Sequence, residues 1–280
     1  MRSRLCALPL YFSIVRPLFH THTLTNGLMN DLELILVHNH KGGTGKTMLA
    51  VHLALHMASK GQPWVLWDTD AQCNAMSWLT RHEWQGEAGV FVPGNGQGVD
   101  LMATTDLDLA EDKSHVIVDT PPAESILDFI GQHMQLNAQD MIVCPVNGRL
   151  SIDGAIKVAE ETAPSGCRVV LVPNLTDPYD SHAREEIAAI RELSNVTEIN
   201  VEVFQMAIPR NDTYMREAEL QGVPIWELPH ARRTHTAKAL FAFCDWVAKG
   251  APPEANRPEA HRDGNSPYNV SRKLKNRLWT

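Results

Sequence analysis

The run His40-Lys41-Gly42-Gly43-Thr44-Gly45-Lys46-Thr47 constrains this chain more than any other part of it. An apolar stretch at 33–38 leads straight into it, and residues 48–59 follow with apolar side chains at helical spacing up to Lys60-Gly61. That order is strand, glycine-rich loop, helix. A helix opened by such a loop turns its first backbone N–H groups and the positive end of its dipole toward an anion. Gly42, Gly43 and Gly45 let the backbone wrap closely, Lys46 can reach the β and γ phosphates of a triphosphate, and the Thr47 hydroxyl can ligate magnesium.

The alternation continues along the chain. Residues 64–67 form a second strand that ends on Asp68, and 115–118 a third that ends on Asp119 and is broken by Pro121-Pro122. Residues 141–144 and 168–172 are two further short apolar runs, with helical stretches at 125–135, 151–162 and 181–193. The pattern predicts an α/β fold, a mostly parallel twisted sheet with helices on both faces and functional groups at the carboxyl ends of the strands. Residues 210–221 and 234–249 read as the closing helices. Residues 82–112, with Gly94, Gly96 and Gly98, have no clear period and receive no element.

At 280 residues and 44% hydrophobic content the chain can bury one sizeable core. We expect one domain over 29–250. Met29 reads as the natural start, residues 1–28 as an upstream extension without packed structure, and 251–280 as a Pro-rich flexible linker followed by a basic tail. Once the nine basic and three acidic residues of the two ends are set aside, 16 basic and 30 acidic residues remain in 31–250. Contact with nucleic acid or membrane must therefore come from a local basic patch or from the tails. The five cysteines are scattered without a Cys-x-x-Cys pair, which argues against a metal or iron–sulfur centre and points to a reducing, cytoplasmic setting. No uninterrupted apolar run reaches membrane-spanning length.

The second lysine, Lys41, just before the glycine pair makes the motif more specific. Lys-Gly-Gly-Thr-Gly-Lys-Thr resembles the deviant Walker A loop of the ParA/MinD family of P-loop ATPases. Further landmarks follow in order: Asp68-Thr69-Asp70-Ala71-Gln72-Cys73-Asn74 resembles the family's first switch, and Val116-Ile117-Val118-Asp119-Thr120-Pro121-Pro122 its Walker B strand and second switch. Ile208-Pro209-Arg210-Asn211, Glu217-Ala218 and Gly222-Val223-Pro224 resemble its late Ile-Pro-Arg, Glu-Ala and Gly-x-Pro stretch. The chain departs from the pattern at Ala71, usually proline, and Cys73, often glycine, changes that affect loop stiffness more than chemistry.

The resemblance implies ATP and Mg2+ as cofactors, with ATP held by residues 41–48, including Thr44 and Met48, and by Pro209, and an adenine contact from Asn174. It implies Thr47, Asp68 and Asp119 around the metal, and Lys46 and Asp70 acting on the phosphate and the attacking water. Lys41 would reach the phosphates of a second subunit in an ATP-dependent homodimer. Taken alone, Lys41 could equally be a solvated loop lysine and Asn174 a strand-end turn residue, while a helix cap or turn is the lesser alternative for Asp68 and Asp70.

Three uses of the cycle compete. The first is DNA segregation in plasmid or chromosome partition. Here Arg210, Arg216, Arg232, Arg233 and Lys238 would bind DNA non-specifically, and a centromere-binding adaptor would stimulate hydrolysis at the nucleoid. The second uses residues 270–280, a short basic amphipathic segment with Val270, Leu274 and Leu278 every four residues, as a MinD-like membrane anchor. The third, a biosynthetic enzyme on the same fold, would need a second substrate motif that the sequence lacks.

Overall fold

A computed structural model describes residues 34–82, 84, 89–93, 98–106, 115–122, 125–133, 136–177, 185, 187–190, 192 and 201–250. The expectations for residues 1–28, for 251–280 with its amphipathic segment, for Gly94 and Gly96, and for most of the 181–193 helix lie outside these.

The strand before the glycine-rich loop, β1 (Leu34–Val37), is apolar at every position because both of its faces are buried. It lies at the middle of the sheet, between β5 (Val116–Asp119) and β6 (Met141–Val146), both parallel to it. Beyond β5 come β2 (Val65–Asp68), β4 (Leu101–Thr104) and β3 (Gly89–Val92), and beyond β6 come β7 (Arg168–Thr176) and β8 (Val201–Val203). The two-residue β9 (Ile208–Pro209) pairs with the end of β7. Only β3 runs antiparallel, closing one edge as a hairpin with β4.

Helices cover both faces. On one, α1 (Lys46–Ser59), α2 (Asn74–Thr80), α5 (Asp212–Gln221) and α6 (His235–Ala248) contribute to a core around Ile35, Leu49, Leu53, Leu66 and Phe243. On the other, α3 (Ile126–His133) and α4 (Arg149–Thr162) enclose Leu36, Val118, Phe129 and Val169. Because α1 is packed between the sheet and α6, 11 of its 14 residues are buried, so it is apolar on nearly every side.

Several boundaries move, each for a physical reason. Strands β2 and β5 take in Asp68 and Asp119, so these aspartates are the last residues of the strands and sit in register with each other. Strand β7 does not end at Val172. It passes through Pro173, a tolerated place for a residue without an N–H because β8 pairs only with Val169–Leu171 and β9 only with Asn174 and Thr176. Asn174 therefore lies within a strand. Helix α5 starts at Asp212, where the Asn211 side chain accepts from the Tyr214 amide. The segment at 82–112 holds the β3–β4 hairpin, whose approach is tied to the end of α1 by the Val99 amide on the Ala58 carbonyl. A Cβ on Gly98 would strike that same carbonyl.

His52 joins α1 to the turn at Ile225–Glu227. Its Nδ1 lies 2.7 Å from the Met48 carbonyl and must donate, and its Nε2 accepts from the Ile225 amide at 3.1 Å, among the rings of Trp78 and Trp226. Fully buried and neutral, the imidazole is pushed down to about 4 by desolvation, against a weaker upward pull from the Met48 carbonyl. The unfolded chain takes up this proton near pH 6.5 and the folded one near 4, so stability is lost as pH falls through that window. We predict that His52→Gln destabilises the protein by about 1–3 kcal/mol at pH 7. The difference from wild type should shrink by roughly 2 kcal/mol at pH 5, measured by urea unfolding.

Candidate nucleotide site

Past β1 the chain must turn sharply while keeping its amide groups free for a ligand. Three asparagines hold the loop, two by taking its carbonyls and one by taking the Lys41 amide. Asn39 Nδ2 donates to the carbonyls of Pro145 and Ser151, both at 2.9 Å, while its Oδ1 accepts from the Lys41 amide at 3.0 Å. Asn147, at the end of β6, donates to the Gly43 carbonyl at 3.2 Å, and Asn174 donates to the Thr44 carbonyl at 2.7 Å. Gly45 stands left-handed at φ 88° as the residue before α1, and a Cβ there would collide with the Asn174 amide. Glycine is required at that point twice over, by conformation and by space.

The Lys46 ammonium points back into this loop, 3.3 Å from the Asn39 carbonyl and 3.4 Å from that of Lys41. Burial lowers its pKa, and the nearby Asp119 and Asp70 pull it back up. Beside it stand two carboxyls at neighbouring strand ends. Asp68 accepts from the Asp70 amide at 3.2 Å and the Met76 amide at 3.1 Å. Burial raises it to about 6, against those backbone donors. Asp119 is fully buried, and neither of its oxygens has a partner of ordinary hydrogen-bond geometry. Its pKa is held well above the usual carboxylate range by desolvation and then by Asp68, with the Thr47 hydroxyl and Lys46 opposing.

Unpaired buried carboxylate oxygens next to a threonine hydroxyl are a donor set that suits a hard cation. Among the described residues no group of three or more His, Cys, Asp or Glu could hold a metal alone. The set therefore fits a magnesium ion that takes its other ligands from phosphate and water.

The structure brings Lys46, Thr47, Asp68, Asp70 and Asp119 together at the carboxyl ends of the central strands, with the loop 41–45 and Met48 around them. Asn174 lies against Gly45, with its own Oδ1 buried and unpaired. Pro209, on β9, lies beside the end of β7 and accepts a hydrogen bond from Thr236 on α6. Cys73 adopts a left-handed backbone at φ 50°, which explains why glycine is the common residue there. Sequence reasoning missed Asn39 and Asn147. Their position at the carboxyl ends of β1 and β6 was the available signal.

Residues 35–225 match the family described as the CobQ/CobB/MinD/ParA nucleotide binding domain. Two relatives are each 30% identical. One is a maintenance of carboxysome distribution protein A from Gloeobacter kilaueensis, aligned over 71% of this chain and 88% of its own length. The other is the chromosome-partitioning ATPase Soj of Thermus thermophilus, over 66% and 84%. The fold resembles that of Cyanothece McdA solved as an ATP complex, with a TM-score of 0.59 at 14% identity over 81% of this chain and all of that one. With a glycine-rich loop held open by three asparagines and the family match spanning most of the sheet, this chain belongs to the CobQ/CobB/MinD/ParA family of nucleotide-binding domains.

Proposed function

We propose that this protein is a ParA-type ATPase that dimerises on ATP and distributes a cargo over the nucleoid, with hydrolysis stimulated by a partner protein. The observation that carries the reading is the pairing of a preorganised phosphate loop with two buried carboxyls in register on β2 and β5. Lys46 would leave its loop carbonyls for the phosphates, and the Asn174 Oδ1 and Pro209 would face the adenine. Thr47, Asp68 and Asp119 would hold magnesium, which neutralises phosphate charge when bound. Asp70 would orient the attacking water, and Lys41 would reach the partner subunit's nucleotide in the manner of an arginine finger.

Segregation and positioning relatives at 30% identity support the cargo-distributing role. The surface adds to it. Arg210, Arg216, Arg232, Arg233 and Lys238 are all exposed, on α5, α6 and the segments before them. Arg210 shares its charge with Asp212 at 2.9 Å, which leaves Arg216, Arg232, Arg233 and Lys238 as the better candidates for phosphate contacts.

Three outcomes are expected. Lys41→Ala should keep ATP binding but lose the dimer and about 10³-fold of stimulated turnover, checked by sedimentation and phosphate release. Duplex DNA should be bound only with ATP, and each of Arg232→Ala, Arg233→Ala and Lys238→Ala should lower the salt slope by roughly one, read by fluorescence anisotropy. DNA binding that ignores the nucleotide would count against the reading. Because Asp68 is raised to about 6 and Asp119 is also raised, magnesium must displace protons. Mg–ATP affinity should rise from pH 5 to 7 with net proton release, seen by calorimetry in buffers of different ionisation enthalpy.

A further inference from the structure

His38 follows the last residue of β1 and is completely buried, one residue before the asparagine that anchors the phosphate loop. Its Nδ1 lies 2.9 Å from Thr120 Oγ1, and that hydroxyl lies 2.9 Å from the Val37 carbonyl. A carbonyl can only accept, so Thr120 donates its one proton to Val37 and must accept from His38. The imidazole is thereby fixed as the neutral Nδ1–H tautomer, with Nε2 a buried lone pair that has no partner.

The backbone at this point explains why a side chain is needed. The strands β1 and β5 pair regularly as far as Val37 and Asp119, but the next ladder bond, from the Thr120 amide to the Val37 carbonyl, is stretched to 3.4 Å. The strands are parting to open the phosphate crevice. The His38–Thr120–Val37 link bridges them where the backbone bond weakens.

We propose that His38 is a positioning residue for hydrolysis: through Thr120 it pins the end of β5, and with it Asp119 and the Pro121-Pro122 turn, against the base of the phosphate loop. The inference rests on the ATPase reading. Pro122 lies beside Gly42, where an added Cβ would stand 3.8 Å from the Pro122 Cβ. The link thus sets Asp119 and the Pro121-Pro122 turn relative to the loop. The asparagine tethers of the loop do not pass through Thr120, so ground-state binding of ATP is left to them. Burial, then His40 and Lys46, push the His38 imidazole down to about 3, so it stays in this neutral form through the working pH range.

The test compares full-length Thr120→Val and Thr120→Ser, and His38→Leu and His38→Asn, for kcat and for the Kd of a fluorescent ATP analogue, with thermal melts as a check on folding. Asparagine can still donate to Thr120 and leucine cannot. Thr120→Val and His38→Leu should each lose about tenfold in kcat, one hydrogen bond's net worth, with Kd within about twofold. Thr120→Ser and His38→Asn should stay within about threefold of wild type, and the double variant should be no worse than either single one. Equal kcat for valine and serine at 120, Kd rising in step with the loss of kcat, or additive losses in the double variant would overturn the assignment. If one disruptive variant does not fold, the pair at the other position decides. A wild-type chain that binds ATP but never turns it over would instead sink the ATPase reading, and His38 with it.

Discussion

A loop that presents amides to a phosphate must put its carbonyls somewhere, and in this chain the rest of the site follows from where they go. Asn39, Asn147 and Asn174 come from three consecutive strands of the sheet, β1, β6 and β7, and tie the loop or its supports to strand ends that are themselves held by ladder bonds. The loop inherits the rigidity of the sheet centre. The ordering entropy of the loop is met on folding rather than on binding, which is how preorganised sites gain affinity.

The same sheet creates the electrostatics. Parallel strands bring Asp68 and Asp119 into register at their carboxyl ends, and the covering helices keep water from both. Burial raises both carboxyls, and the neighbouring Asp68 raises Asp119 further. Lys46 and Thr47, on the first turn of α1, are the groups that offset this charge.

Much of this was legible in the sequence because the central strands are uniformly apolar and the loop motif is contiguous. The mostly parallel sheet, its helices on both faces and its resemblance to the ParA/MinD family could be read from 33–38, 40–47, 64–68 and 115–122. What could not be read has identifiable causes. Helix α2 is seven residues long, too short for a period to emerge, and starts from a left-handed cysteine. The β3–β4 hairpin lies at a half-buried edge where the apolar pattern is weak. The end of β7 was hidden by Pro173, which normally stops a strand. Asn39 and Asn147 act through carbonyls far away in sequence, so no local motif marks them.

The left-handed Cys73 puts backbone strain at the start of α2. A residue with a side chain costs about 1 kcal/mol in the left-handed region, a penalty that glycine would not carry. Three residues later in the same stretch, the carboxyl of Asp68 grips the Met76 amide in the first turn of α2. The grip and the penalty oppose each other, like a catch holding a bent spring. The thiol-bearing residue therefore keeps backbone strain three residues from the Asp68–Met76 bond, strain that a glycine at the same position would not carry.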